Sequence, residues 1–198
     1  MSHYDWYTLL TQWSKEILES EDSKYFDLPP DAIDSGWLGY PGATDEQIAA
    51  AEVRLGCTLP PSYCEFLKVT NGWRRTGYCI DKLWSTEMID WHYARNASTV
   101  DGWIEGEARA ERNGWSILDE EYNVYSEAQT SMIRGQHFKS TLEISQYFDG
   151  IYLLNPLTIN VDGEWEAWFF AYWIPGAQRY QTFWDLMQGE YQKFRRAK

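Results

Sequence analysis

The chain has 198 residues, 30 acidic side chains against 17 basic ones, and a formal net charge of −13. That length suits one domain with a substantial core, and charge of this sign repels nucleic-acid phosphates and anionic lipid. No apolar run is long enough to span a bilayer, and Met1-Ser2-His3-Tyr4-Asp5 lacks a basic start followed by an apolar stretch, so we expect a cytoplasmic protein with neither nucleic acid nor membrane as partner.

From the N-terminus, Trp6, Leu9, Leu10, Trp13 and Ile17 recur at helical spacing and predict an amphipathic helix from Tyr4 to about Leu18. A polar connector marked by Pro29, Pro30 and Pro41 follows, so residues 1–41 read as helix plus connector. Residues 42–198 read as the main α+β unit, the two forming one compact body. Strong punctuation begins at Thr44, which pairs with Gln47 as a capping box, while Asp45 and Glu46 place negative charge in the first turn. Ile48, Ala51 and Leu55 recur on one helical face, and Gly56 stops the helix. Pro60-Pro61 starts a second helix bearing Tyr63, Phe66, Leu67 and Thr70, which Asn71-Gly72 ends.

Trp73 to Trp84 reads as the start of a sheet, with Tyr78, Ile80 and Leu83 as strand residues. Met88, Ile89, Trp91 and His92 suit a helix, and a second, polar helix fits Val100 through Arg109. Beyond Trp115 the pattern is mainly strands. Ile151 to Asn155 is a short apolar run that Asn155-Pro156 should end, and Asp162-Gly163 signals a hairpin. In the next strand Trp165, Ala167, Phe169, Ala171 and Trp173 share one face, and Glu164, Glu166, Trp168, Phe170 and Tyr172 share the other. The first face suits packing under helices; the second begins charged, which predicts a sheet wet at one end. A last helix opens at Thr182 with Asp185, buries Phe183, Leu186, Met187, Tyr191 and Phe194, and ends in basic residues that complement its dipole. The fold class expected is α+β: a single domain, a mainly antiparallel sheet, and helices packed on one face.

Two blocks, Gly42 to Trp73 and then Leu153-Leu154-Asn155-Pro156, Asp162-Gly163-Glu164-Trp165-Glu166-Ala167-Trp168, Pro175-Gly176-Ala177 and Tyr180 to Phe183, resemble the SUKH superfamily. That superfamily is named partly after a yeast cell-wall assembly regulator and is common in bacteria as immunity proteins against polymorphic toxins. The resemblance implies the same α+β architecture. The N-terminal segment and Ser85 to Gly135 match more loosely, and individuality is expected there.

Catalytic patterns are absent: there is no nucleophile elbow, phosphate-cradling glycine loop or H-E-x-x-H. His3, His92 and His137 have no suggestive neighbours, and Cys57, Cys64 and Cys79 form no C-x-x-C pair. Glu164 and Glu166, two apart on one strand face, could serve glycoside hydrolysis or hold a cation, yet a structural or partner-contact role is favoured. No catalytic residue, metal or cofactor is expected. An enzyme would need His92 or His137 beside Glu164 or Glu166 over an aromatic floor.

The better surface is the acidic stretch containing Asp101, Glu105, Glu107, Glu111, Asp119, Glu120, Glu121 and Glu127, with Trp103, Trp115, Tyr122 and Tyr125 interleaved. Carboxylates among aromatic anchors suit capture of a basic groove. The chain holds 12 Trp, too many for all to be hidden, and exposed rings are favoured interface anchors. Expected partner contacts are Asp101, Glu105, Glu107, Asp119, Glu120, Glu121, Tyr122 and Tyr125, with Glu164, Glu166 and Trp168 at the open end of the sheet. The expected function is an immunity-type protein, a monomer or weak homodimer, that blocks a basic cognate toxin domain acting on nucleic acid. The alternative is a regulatory or scaffold protein like the yeast regulator, whose long disordered flanks have no counterpart here.

Overall fold

A computed structural model of the chain describes residues 4–125, 132–146 and 148–197. His3 and Glu127 lie outside them. Helix α1 (Trp6–Leu18) turns Trp6, Leu10, Trp13 and Ile17 inward, and Asp5 caps it by accepting from the Thr8 N–H. After a 3₁₀ turn (Glu21–Tyr25) and a short α2 (Pro30–Ser35) comes the expected pair, α3 (Asp45–Leu55) and α4 (Pro61–Val69). Both halves of the Thr44–Gln47 capping box form, and Gly56 takes the left-handed conformation at φ 70° that ends α3.

The sheet has five antiparallel strands in chain order: β1 (Asp90–Trp91), β2 (Leu142–Glu143), β3 (Ile151–Ile159), β4 (Trp165–Phe170) and β5 (Ala177–Tyr180). Asn155-Pro156 does not end β3 as the sequence suggested. The strand runs on to Ile159, and proline sits in an irregular stretch of the ladder between Asn155 and Ile159, where its missing N–H is not required. Trp73 and Leu83 make only isolated bridges, from Gly39 through to Ser145, in place of a full strand. Between β1 and β2 lie α5 (His92–Arg112), α6 (Asp119–Tyr122) and α7 (Gly135–Lys139), and α8 (Phe183–Arg196) closes the chain. Of the two helices expected near 88–92 and 100–109, only the second is present, inside a kinked α5 that begins at His92; Met88 and Ile89 lie outside any helix and Trp91 belongs to β1.

Helices α1, α3, α4 and α8 form the larger layer over Tyr152, Leu154, Trp165, Ala167 and Phe169, in a core dense in rings. Trp6 meets Phe66 and Phe183 at centroid distances of 5.3 and 5.4 Å. The class and the antiparallel sheet are as expected. The opposite face is not wet at one end, because α5 and α7 cover it. There Ile151, Leu153, Trp168 and Phe170 pack on Val100 and Phe138.

Candidate partner-binding face

The smaller layer carries the acidic stretch, and its shape begins at a kink. Asn96, inside α5, has φ −131° and ψ 38°. At that point three side chains of the helix turn to the buried carboxylate of Glu143 on β2: His92 Nδ1 at 2.7 Å, Arg95 Nη1 at 3.1 Å and Asn96 Nδ2 at 3.0 Å. A carboxylate only accepts, so His92 carries its proton on Nδ1. Past the kink, Trp103 packs edge-on against Phe138 and Phe170. Glu107 then reaches across to accept from the Gly135 N–H at 2.6 Å, satisfying a free amide at the start of α7.

Helix α6 has only four residues and is held by side chains from β5 and from the start of α7. Tyr122 is inserted with the Arg179 guanidinium 3.7 Å from its ring centroid, and Arg134 lies over the same ring at 4.5 Å. Arg134 also pairs with Asp119 at 2.5 Å. Beneath them Glu166 is fully buried and accepts from Arg179 Nε at 2.7 Å, Trp168 Nε1 at 2.7 Å, Asn155 Nδ2 at 2.8 Å and the Tyr125 hydroxyl at 3.0 Å. Burial, reinforced by Glu166, pushes the Tyr122 and Tyr125 hydroxyls well above the ordinary tyrosine pKa, so both stay protonated donors. Asn155 also reaches His137 Nδ1 at 3.0 Å, and burial holds that imidazole below its usual pKa.

Above this anchored layer lies an apolar cleft of about 510 Å³. Gly102, Gly106 and Ala110 line it from α5, with Trp103, Trp115 and Ile117 among its other walls. Trp115 is 52% exposed and Leu118 57%. Asp101, Glu105, Glu111, Glu120 and Glu121 are all exposed on the same two helices, and residues 101–125 hold seven carboxylates against two arginines.

The expected contact residues therefore divide. Asp101, Glu105, Glu120 and Glu121 point outward as expected. Asp119 is exposed but paired, Glu107 is half-buried as the α7 cap, and Tyr125 is half-buried on Glu166. Tyr122, Glu164, Glu166 and Trp168 are buried and do not form a free surface, which corrects their assignment as contacts. Glu164 and Glu166 do not share a face either. The turn before β4 takes residues 160–164 out of the alternation, with the Glu164 N–H donating to Asn160 Oδ1. Glu164 instead enters the larger layer and accepts from the Ser62 N–H at 2.7 Å and hydroxyl at 2.6 Å, which caps the N-terminus of α4. Sequence reasoning missed Glu143, Arg134, Arg179 and the two glycines. Arg179 stands opposite Trp168 in the ladder, a pairing visible only once the register is known.

The three cysteines are unpaired, and burial pushes the Cys64 thiol up to about 12. Among the described residues no three His, Cys, Asp or Glu side chains gather to hold a metal ion, and no helix is long and apolar enough to cross a membrane. No curated protein matches the chain. A family profile does match, over residues 42–189, which takes in both helices of the α3–α4 pair, this face and the sheet. The chain belongs to the SMI1 / KNR4 family (SUKH-1).

Proposed function

We propose that this protein is an immunity-type binding protein that neutralises a basic toxin domain by direct contact through the α5–α6 face. The observation that carries the reading is the apolar cleft beside exposed carboxylates, of which only Asp101 has a hydrogen-bond donor recorded, the Tyr93 hydroxyl at 3.4 Å, among the described residues. Asp101, Glu105, Glu111, Glu120 and Glu121 form no ion pair among the described residues, whereas Glu107, Glu164 and Glu166 are all consumed by helix caps and buried hydrogen bonds. An apolar centre with a polar, charged rim is the anatomy of a protein interface. A toxin that acts on nucleic acid needs a basic groove for phosphates, and an array of carboxylates can occupy it in their place. The carboxylates then accelerate encounter while the apolar cleft supplies most of the lifetime of the complex.

The reading is of non-covalent action within the cytoplasm. Glu166 has its acceptor sites filled by four donors, and the Cys64 thiol is held protonated, so neither is poised for chemistry.

The test is co-expression with the toxin domain encoded beside this chain, followed by titration of the purified pair. Protection of the cell and a salt-sensitive complex are expected. The triple variant Glu105→Lys, Glu120→Lys, Glu121→Lys should slow association by roughly tenfold or more. Neither protection nor a complex would remove the reading, and capture of several signalling proteins in place of one toxin would favour a regulatory scaffold.

A further inference from the structure

We infer that the cleft beside α5 receives a helix of the basic partner, seated against backbone left bare by Gly102 and Gly106. The inference rests on the functional reading above and names the element that the partner inserts. Its starting point is the two glycines. They lie in the interior of α5, where glycine weakens a helix relative to alanine, and neither has a positive φ that would require it. A Cβ at either position would meet nothing within 4 Å.

Glycines in the shorter and terminal helices behave differently. At Gly135 a Cβ would stand 2.8 Å from both Glu107 Oε2 and Ile104 Cγ1, and at Gly189 it would stand 2.8 Å from the Tyr180 ring. Close internal packing accounts for those two. Among the described residues nothing accounts for Gly102 and Gly106, and the close approach they allow is assigned to something outside the molecule.

Gly102, Gly106 and Ala110 recur every fourth residue and so form one shallow stripe along the helix. Such a groove admits the side-chain ridge of a second helix at short interaxial distance. The rings of Trp103 and Trp115 stand at its sides. Glu107, the one charged side chain lining the cleft among the described residues, already accepts from Gly135, so an apolar occupant is favoured over a polar small molecule. Asp101 and Glu105 immediately precede the two glycines, and over residues 101–125 seven carboxylates outnumber two bases, Arg109 and Arg112. This charge selects a helix flanked by Lys or Arg. It opposes a second copy of the chain, which would set the same carboxylates against each other at a net charge of −13 per copy.

A defined probe is an amphipathic Leu/Lys peptide of about 18 residues, or five helical turns, compared with a proline-interrupted version and a Leu/Glu version. Binding to the full chain is read by calorimetry, and the site by slowed amide exchange over residues 97–112. The Leu/Lys helix should bind and the other two should not. Gly106→Leu, which leaves charge unchanged, should weaken binding by roughly tenfold or more. The milder pair Gly102→Ala with Gly106→Ala should raise the Tm of the free protein yet still weaken binding. Equal binding of the proline-interrupted peptide, no binding of the Leu/Lys helix, or indifference to both glycine variants would overturn the inference. If charge reversal at Glu105 and Glu120 abolishes binding while Gly106→Leu does not, the helix is wrong and the acidic docking face stands. Indifference to both sets removes the docking face itself. A dimer of the free chain that Gly106→Leu dissolves would assign the cleft to a second copy and overturn the basic partner.

Discussion

The two faces of the sheet are built by different means. The larger layer is held by area: Trp6, Trp13, Tyr63, Phe66 and Phe183 are fully buried, and Tyr63 and Phe66 each meet Phe183 edge to face. The smaller layer has a modest apolar cluster and relies on directional contacts to buried charge, Glu143 with His92, Arg95 and Asn96, and Glu166 with Arg179. The reason lies in element length. Helices α6 and α7 have four and five residues, too few to persist without specific ties. Tyr122 on Arg179 and Glu107 on Gly135 supply those ties. A layer held in this way leaves much of its outer surface free of structural duty, which is where the carboxylates without an ion pair among the described residues stand.

The contrast can be broken most forcefully at its centre. Arg179→Met leaves Glu166 buried without its counter-charge and should cost about 3–5 kcal/mol. Phe183→Ala in the larger layer should cost a similar ~3–5 kcal/mol. The two losses differ in how they can be repaired. Adding Glu166→Gln to Arg179→Met should recover part of the stability, because the buried charge leaves with its partner while an amide oxygen stays to accept from neighbours such as Trp168 and Asn155, whereas a second truncation beside Phe183 only enlarges the cavity. Urea denaturation of the single and double variants distinguishes the two; a double variant as unstable as Arg179→Met alone would show that the smaller layer is held by packing after all.

A smaller effect is expected at Glu164, a buried carboxylate of the larger layer that acts as a helix cap. Glu164→Gln keeps the shape but weakens the bonds to Ser62, and should cost about 1–3 kcal/mol. Tyr4 gives an independent readout. Burial first, and then Glu164, push its hydroxyl up to about 12, and spectrophotometric titration should find it lower in the variant.

The smallest effect is a pH dependence confined to the smaller layer. Burial lowers the His137 pKa in the folded state, with Arg134 and Arg179 acting in the same direction and Glu166 opposing them. The unfolded chain therefore takes up the proton first. Stability is complete above the unfolded value of about 6.5 and declines as pH falls through it, levelling off below the depressed folded value. His137→Asn should flatten that decline in urea midpoints measured between about pH 7.5 and 5.5. An unchanged slope would mean that another group carries it.

Much of the larger layer was legible in the sequence because its signals are local. The capping box at Thr44, Gly56, the proline start of α4 and the Thr182–Asp185 opening of α8 are each satisfied within a few residues, and all appear as read. The smaller layer was poorly legible because its logic is long-range. Glu166 looked like half of a surface pair, since the residues that bury it, Arg179, Asn155 and Tyr125, are brought to it by strand register and by α6. Trp168 was misplaced for the same reason: alternation identified its face, but not the helices that cover that face. The acids of α5 and α6 were found by composition alone. Which of them are spent on Gly135 and Arg134, and which remain free, depended on contacts between residues 15 to 28 positions apart.

The central claim is that the smaller layer's outer surface, with its cleft and carboxylates, meets the partner. Amide hydrogen exchange on the chain alone and in complex with the basic toxin domain proposed as its partner tests this most directly. The account predicts slowed exchange across α5 and α6, concentrated at residues 99–122, with α1 and α4 unchanged. Protection confined to α1, α4 or the β3–β4 turn, with α5 and α6 exchanging as in the free protein, would contradict it.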